Sequence, residues 1–269
     1  MDPTALAPGS TPERRREHTM IADARRLLLD EPALPDDKPH VAGSLQRLCR
    51  AVARALPAEG AGVSVMSPEG APVTTAASDA TSRIVEELQF TLGEGPCQEA
   101  FSSRRPVLVP DLVQSGGARW PGYAPAAQAR GVGAVFAFTL QVGAARLGVL
   151  DVYRREPGAL SASALALALT FAEVAVELLL DAQQNAGQDR AAPALDDALS
   201  TGFELYQAQG MVMYQLGVGL GEAMSRVRAY AFAHDRRLGD VATDIVDRRL
   251  VLEADGPDDG TASNDGNGS

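Results

Sequence analysis

Two short apolar runs, Ala134 to Leu140 and Arg146 to Tyr153, are separated only by Gln141 and the turn Val142-Gly143-Ala144-Ala145. Their length and the turn between them predict a β-hairpin. The strands are apolar on one face and carry small residues on the other. Such a pair needs cover on both sides, so the hairpin belongs inside a sheet flanked by helices.

Upstream, the pattern changes period twice. Thr11-Pro12-Glu13 supplies a cap, a proline at the first helical position and an acid in the first turn, and Ile21, Ala24, Leu27 and Leu28 then recur at helical spacing. Val41, Leu45, Leu48, Val52 and Leu56 form the stripe of a second, stronger amphipathic helix. Ala61 to Met66 alternates like a strand, Ser67 to Gly70 turns, and Ala71 to Thr75 reads as its partner. Asp79 to Gln89 returns to helix with Ile84, Val85 and Leu88 inward, and Val107 to Pro110 is a short strand. Gly93-Glu94-Gly95-Pro96 lacks the spacing and the lysine of a phosphate-cradling loop, and is expected to turn the chain into a helix holding Cys97 and Ala100.

A long helix follows over Ser161 to Gln184, apolar on nearly all sides. Its own sheet accounts for one covered face, and a second copy of the chain is the expected cover for another, with a buried monomeric helix as the alternative. Asn185 to Pro193 is a polar linker, and beyond it lie three helical patterns at about 197–216, 221–234 and 239–250. The first has Leu199, Phe203, Tyr206, Gly210 and Met213 on one face. Three helices this short make a marginal core, which again favours association. The division is a tail and short helix (1–38), an α/β (α+β) domain with a central antiparallel sheet (39–185), a linker (186–195), a small all-α three-helix domain (196–254) and an acidic tail expected to be disordered (255–269).

Several segments carry a resemblance in combination. Leu92-Gly-Glu-Gly-Pro-Cys-Gln-Glu-Ala100, Arg105 to Leu112, Trp120-Pro121 and the hairpin from Gly133 to Tyr153 occur in an order that resembles the GAF domains of actinobacterial regulators. Tyr206-Gln-Ala-Gln-Gly-Met-Val-Met213, Glu222-Ala223 with Val227-Arg228 and Ala231, and Leu238 to Val246 resemble the three helices of an ANTAR domain. That resemblance implies binding of structured RNA hairpins and transcription antitermination, with a small-molecule or protein signal acting on the GAF-type domain. Where the ANTAR signature often has a lysine this chain has Gln209, and Val227 stands where leucine is usual.

Charge bears on that implication. The chain carries a net −11, and between Asp196 and Glu253 six arginines face nine acids, a net of −3. Affinity for RNA must then come from a local cluster, for which Gln209, Arg228, Arg236 and Arg237 are the candidates. A DNA-binding regulator is a rival, because Leu238 to Val246 has helix-turn-helix spacing, but no basic recognition helix follows. A dimeric protein-interaction module that does not bind RNA is the other rival.

Cys97, Trp120, Tyr123 and Phe136 are candidates for lining a GAF-type pocket, with core packing as the equal alternative. Cys97 near a helix start invites a redox or metal role, against which stands a plain buried cysteine with no co-ligand at metal spacing. Glu86, Glu87 and Glu94 read as solvated carboxylates, and Cys49 as core. His18, His40 and His234 are scattered, so neither metal nor cofactor is assigned. No nucleophile–base or paired-acid constellation emerges, and the expectation is a regulator rather than an enzyme. With two cysteines, an N-terminus unlike a secretory signal and no run near the about 18–20 continuous apolar residues of a membrane span, the expected location is cytoplasmic, away from the membrane.

Overall fold

The computed structural model describes residues 12–34, 40–66, 72–188 and 194–252. The expected cap at Thr11, the turn at 67–70, much of the linker and the acidic tail lie outside these residues, as do the side chains of His18, His40, Leu199, Phe203 and Tyr206. In chain order the elements are α1 (Pro12–Asp30), α2 (His40–Ala55), β1 (Gly60–Met66), β2 (Pro72–Ala77), α3 (Ala80–Leu92), α4 (Pro96–Ser103), β3 (Val107–Val109) and α5 (Leu112–Arg119). They continue with α6 (Tyr123–Gln128), β4 (Ala134–Val142), β5 (Ala145–Arg154), α7 (Ala162–Gln188), α8 (Ala194–Leu216), α9 (Leu220–Ala233) and α10 (Leu238–Val246).

The strands form one antiparallel sheet in the order β2-β1-β5-β4-β3. The apolar hairpin is β4–β5, third and fourth in that order, and both of its faces are covered. On one face Ala61, Val63, Phe136, Phe138, Leu140, Leu150 and Val152 pack against α2 and α7. On the other, Val107, Val135, Ala137, Val149 and Tyr153 join a core with α3, α4, α5 and α6. This alternation follows from the two-residue period of a strand.

α7 reaches further toward the C-terminus than the apolar pattern does, and its 162–183 stretch is, by length and composition, apolar enough to cross a membrane. The scattered Thr170, Glu173 and Glu177 break the uninterrupted run that sequence reading looked for, yet the mean hydropathy stays high. In the structure α7 packs on β4, α2 and α1, with Arg25 of α1 donating to Glu177 at 2.7 Å. Leu169 remains exposed.

The three C-terminal helices do not stand apart. α8 lies against β2 at the sheet edge, and α9 and α10 rest on α3. Their buried residues, among them Val212, Val227, Val241 and Ile245, belong to the same apolar core as Val85 and Phe90 of α3. Stacking on the sheet edge gives this small unit the apolar partner it lacks alone.

Candidate functional site

The inward face of α3 is Ser82, Val85, Glu86, Gln89 and Phe90. This is a regular helical stripe, but three of its five members are polar. Ile84, expected inside, is instead 45% exposed, because the helix is rotated to present Glu86 to the sheet. Glu86 is therefore fully buried and not a solvated carboxylate.

Room for it comes from β1. A Cβ on Gly62 would lie 2.0 Å from Glu86 Oε1, so only glycine lets the carboxylate descend onto the sheet. Gly62 pairs with Asp151 of β5, which also points to this face and is fully buried. Ser64 Oγ donates to Glu86 Oε2 at 2.8 Å and Tyr153 OH donates to Oε1 at 2.7 Å. Gln89 Nε2 donates to Asp151 Oδ2 at 3.3 Å, while Gln89 Oε1 accepts the backbone N–H of Cys97 at 2.7 Å. Gly93 ends α3 in the left-handed conformation, and Gly95 and Pro96 start α4, which brings Cys97 back over the same spot.

One ligand atom each from Glu86, Cys97 and Asp151 consequently lies within 4.8 Å of the others. Burial pushes the Asp151 carboxyl well above the usual range, and the charge of Glu86 pushes it further. Glu86 is raised by burial too, but the donors Tyr153 and Ser64 pull it back. Two carboxyls so close in an apolar setting disfavour each other's ionised form. Glu86 accepts from two hydroxyl donors, which favours its ionised form, whereas Asp151 Oδ1 has no hydrogen-bond partner. Burial likewise raises the Cys97 thiol and the Tyr123 phenol, with the carboxyls adding to both. The Tyr123 hydroxyl is fully buried beside these charges and has no hydrogen-bond partner.

Beside the cluster, a cavity of about 180 Å³ opens at the rim of the sheet, lined by Ser82, Val85, Arg130, Tyr153, Arg154 and Arg155 among others. Tyr153 belongs to both the cavity wall and the carboxyl pair.

Of the pocket candidates read from sequence, Cys97 and Tyr123 meet at this cluster, and Trp120 packs edge-on to Tyr123 with ring centres 6.3 Å apart. Phe136 does not join them. It faces the opposite side of the sheet with Phe138 and Phe171, because strand alternation sends it away from Val135 and Ala137. Glu94 is not idle either, for its Oε1 accepts the backbone N–H groups of Gly122 (2.6 Å) and Tyr123 (2.8 Å) and so starts α6. Glu86, Asp151, Ser64 and Gln89 were missed by sequence reasoning. Their signal is Asp151 inside an otherwise apolar strand and two acids or amides on the α3 stripe.

The nucleic-acid candidates share no open face. Gln209 is buried and donates to the Leu220 carbonyl at 2.8 Å, joining α8 to α9. Arg228 is half-buried, its guanidinium over Gly93, where a Cβ would come within 2.8 Å of it. Arg236 donates to Asp244 at 2.6 Å. Arg237 donates through Nε to Glu87 Oε2 at 2.8 Å and through its terminal nitrogen to Oε1, reaching from the start of α10 to α3.

The family model described as GAF domain matches residues 41–179. A GAF domain of a phosphoenolpyruvate-protein phosphotransferase from Coxiella burnetii aligns at 16% identity over 64% of this chain and 98% of its own, with a TM-score of 0.49. The corresponding Acinetobacter domain aligns at 12% over 64% and 98%, with a TM-score of 0.47. The free methionine-R-sulfoxide reductase from Neisseria meningitidis aligns at 14% over 67% and 98%, with a TM-score of 0.41. No curated protein sequence matches.

Proposed function

The chain belongs to the GAF domain family, and from that premise we propose a signal-responsive regulator whose α8–α10 unit is an ANTAR-type output that binds structured RNA hairpins in transcription antitermination. The GAF domain supports a role in sensing and signal transduction. The observation that carries the coupling is a pair of neighbours on α3. Glu86 faces the buried polar cluster, while Glu87 holds Arg237 of the output unit. A ligand or partner protein that shifts α3 acts on both at once. It works by favouring the released over the docked arrangement, which requires different affinity for the two.

In the docked state Arg237 is committed to Glu87 and Arg236 to Asp244, while Arg228 lies half-buried against Gly93 at the end of α3. RNA binding on this reading needs Arg237 set free. The exposed Leu169 on α7 supports a homodimer through that helix. The protein is read as a cytoplasmic regulator rather than an enzyme. Mobility-shift binding to a pool of structured transcripts at two salt concentrations tests the output: selective, salt-sensitive retention is expected.

A second reading draws on the pairing of these arginines with acids inside a unit of net −3. On it, the released unit binds another protein. Salt-insensitive capture of a protein together with no RNA retention distinguishes it.

A further inference from the structure

The carboxyl pair explains only part of the buried cluster. Glu86 is held by Ser64 and Tyr153, but Asp151 Oδ1 and the Tyr123 hydroxyl, both wholly inside the protein, have nothing to bond. An orphaned buried hydroxyl is costly and calls for a missing partner. A thiol and two carboxyls from three separate elements, α3, α4 and β5, gather within 4.8 Å of one another, near enough to add to the upward shift of this phenol. Glycines at 62 and 95 keep backbone and side chains close there: a Cβ on Gly95 would lie 2.5 Å from Gln89 Oε1.

We propose that Glu86, Asp151 and Cys97 form a binding site for a single divalent transition ion of the zinc type, with the Tyr123 hydroxyl turned toward its remaining position. The donor set selects the ion. A thiolate with carboxylate oxygens suits zinc, which takes four ligands of this kind. Calcium needs six to eight oxygens, and magnesium keeps a shell of water that a buried site has no room for. The charges are consistent: two carboxylates and a thiolate bring −3, and a divalent ion leaves −1. In the ion's absence, protons on Asp151 and Cys97 keep the site neutral enough to stay folded, and binding releases them. Ser64 and Tyr153 already hold one carboxylate from behind, and Gln89 holds both Asp151 and the Cys97 backbone. Such outer hydrogen bonds orient ligands before an ion arrives. The site stands whether or not the output unit binds RNA.

The test uses the purified full chain, stripped with a chelator and titrated with Zn²⁺ against a chromophoric competitor, and separately with Co²⁺ as a spectroscopic probe. Expected are one equivalent of Zn²⁺ per chain and a sulfur-to-cobalt charge-transfer band in the near ultraviolet. Asp151→Asn and Cys97→Ser should each weaken Zn²⁺ by at least about 100-fold, and Tyr123→Phe by roughly tenfold. Cys49→Ser, whose thiol on α2 donates to the Ala76 carbonyl on the other side of the sheet, should leave affinity unchanged. Absence of stoichiometric binding, a cobalt spectrum without the thiolate band, or full affinity in both Asp151→Asn and Cys97→Ser would overturn the proposal. The cobalt spectrum of the unaltered chain decides the matter even if a variant fails to fold.

Discussion

Arg237 at the start of α10 grips both carboxylate oxygens of Glu87 on α3, and by this pair the C-terminal unit is tied to the sensor fold. The arginine is 60% exposed and the glutamate 24%, so the link is a surface pair on a larger apolar contact. It is suited to being broken, because exposed pairs contribute about 0.2–1 kcal/mol.

Glu87→Gln should therefore leave the fold intact but raise the released population, by up to about fivefold. Hydrogen exchange is expected to speed up in α9 and α10 while β4 and β5 stay protected. Unchanged exchange in α10 would mean that the apolar contact alone sets docking.

The carboxyl pair predicts a pH dependence. Burial, then Glu86, raises Asp151 in the folded chain above its unfolded value. A group shifted upward contributes stability that is full below the ordinary carboxyl range and disappears as pH rises through the folded value. In chelator-treated protein, Asp151→Asn should remove that decline, since the amide has no proton to lose. Its advantage in chemical denaturation should thus grow from acid toward alkaline pH. A constant difference between the two proteins across pH would contradict the assignment.

Gly62→Ala should destabilise the chain by about 1–3 kcal/mol, the usual cost of forcing an extra methyl into packed space. The new Cβ would meet Glu86 and not a flexible surface tip. A neutral result would show that Glu86 does not rest on β1.

Both cysteines are fully buried, and burial is the largest cause of the upward shift of each thiol. Alkylation at mildly alkaline pH should be slow for the metal-free native chain and fast after unfolding, since the thiolate is the reactive form. Rapid native labelling of Cys97 would mean that α4 opens on its own.

The parts of the fold legible in sequence are those in which a single period persists. The β4–β5 hairpin, the stripe of α2 and the long α7 fall where their patterns place them. α5 and α6 gave no such signal: α5 contains Gly116 and Gly117, and α6 is six residues around Pro125. Both depend on tertiary partners, as when Glu94 bonds the start of α6. Cys97 and Tyr123 were readable from their setting. Glu86 was not, because a glutamate between Val85 and Glu87 reads as solvent-facing until Gly62, Ser64 and Tyr153 are known to lie beneath it. Gln209 misled in the other direction, since its amide bonds the backbone of a neighbouring helix, which residue type alone does not reveal.

The most direct measurement is a mobility shift of the full chain and of Glu87→Gln with structured transcripts at two salt concentrations. Selective, salt-sensitive hairpin binding that is tighter for the variant is expected, because Arg237 is freed. No retention of RNA by either protein in either salt would contradict the RNA-binding output.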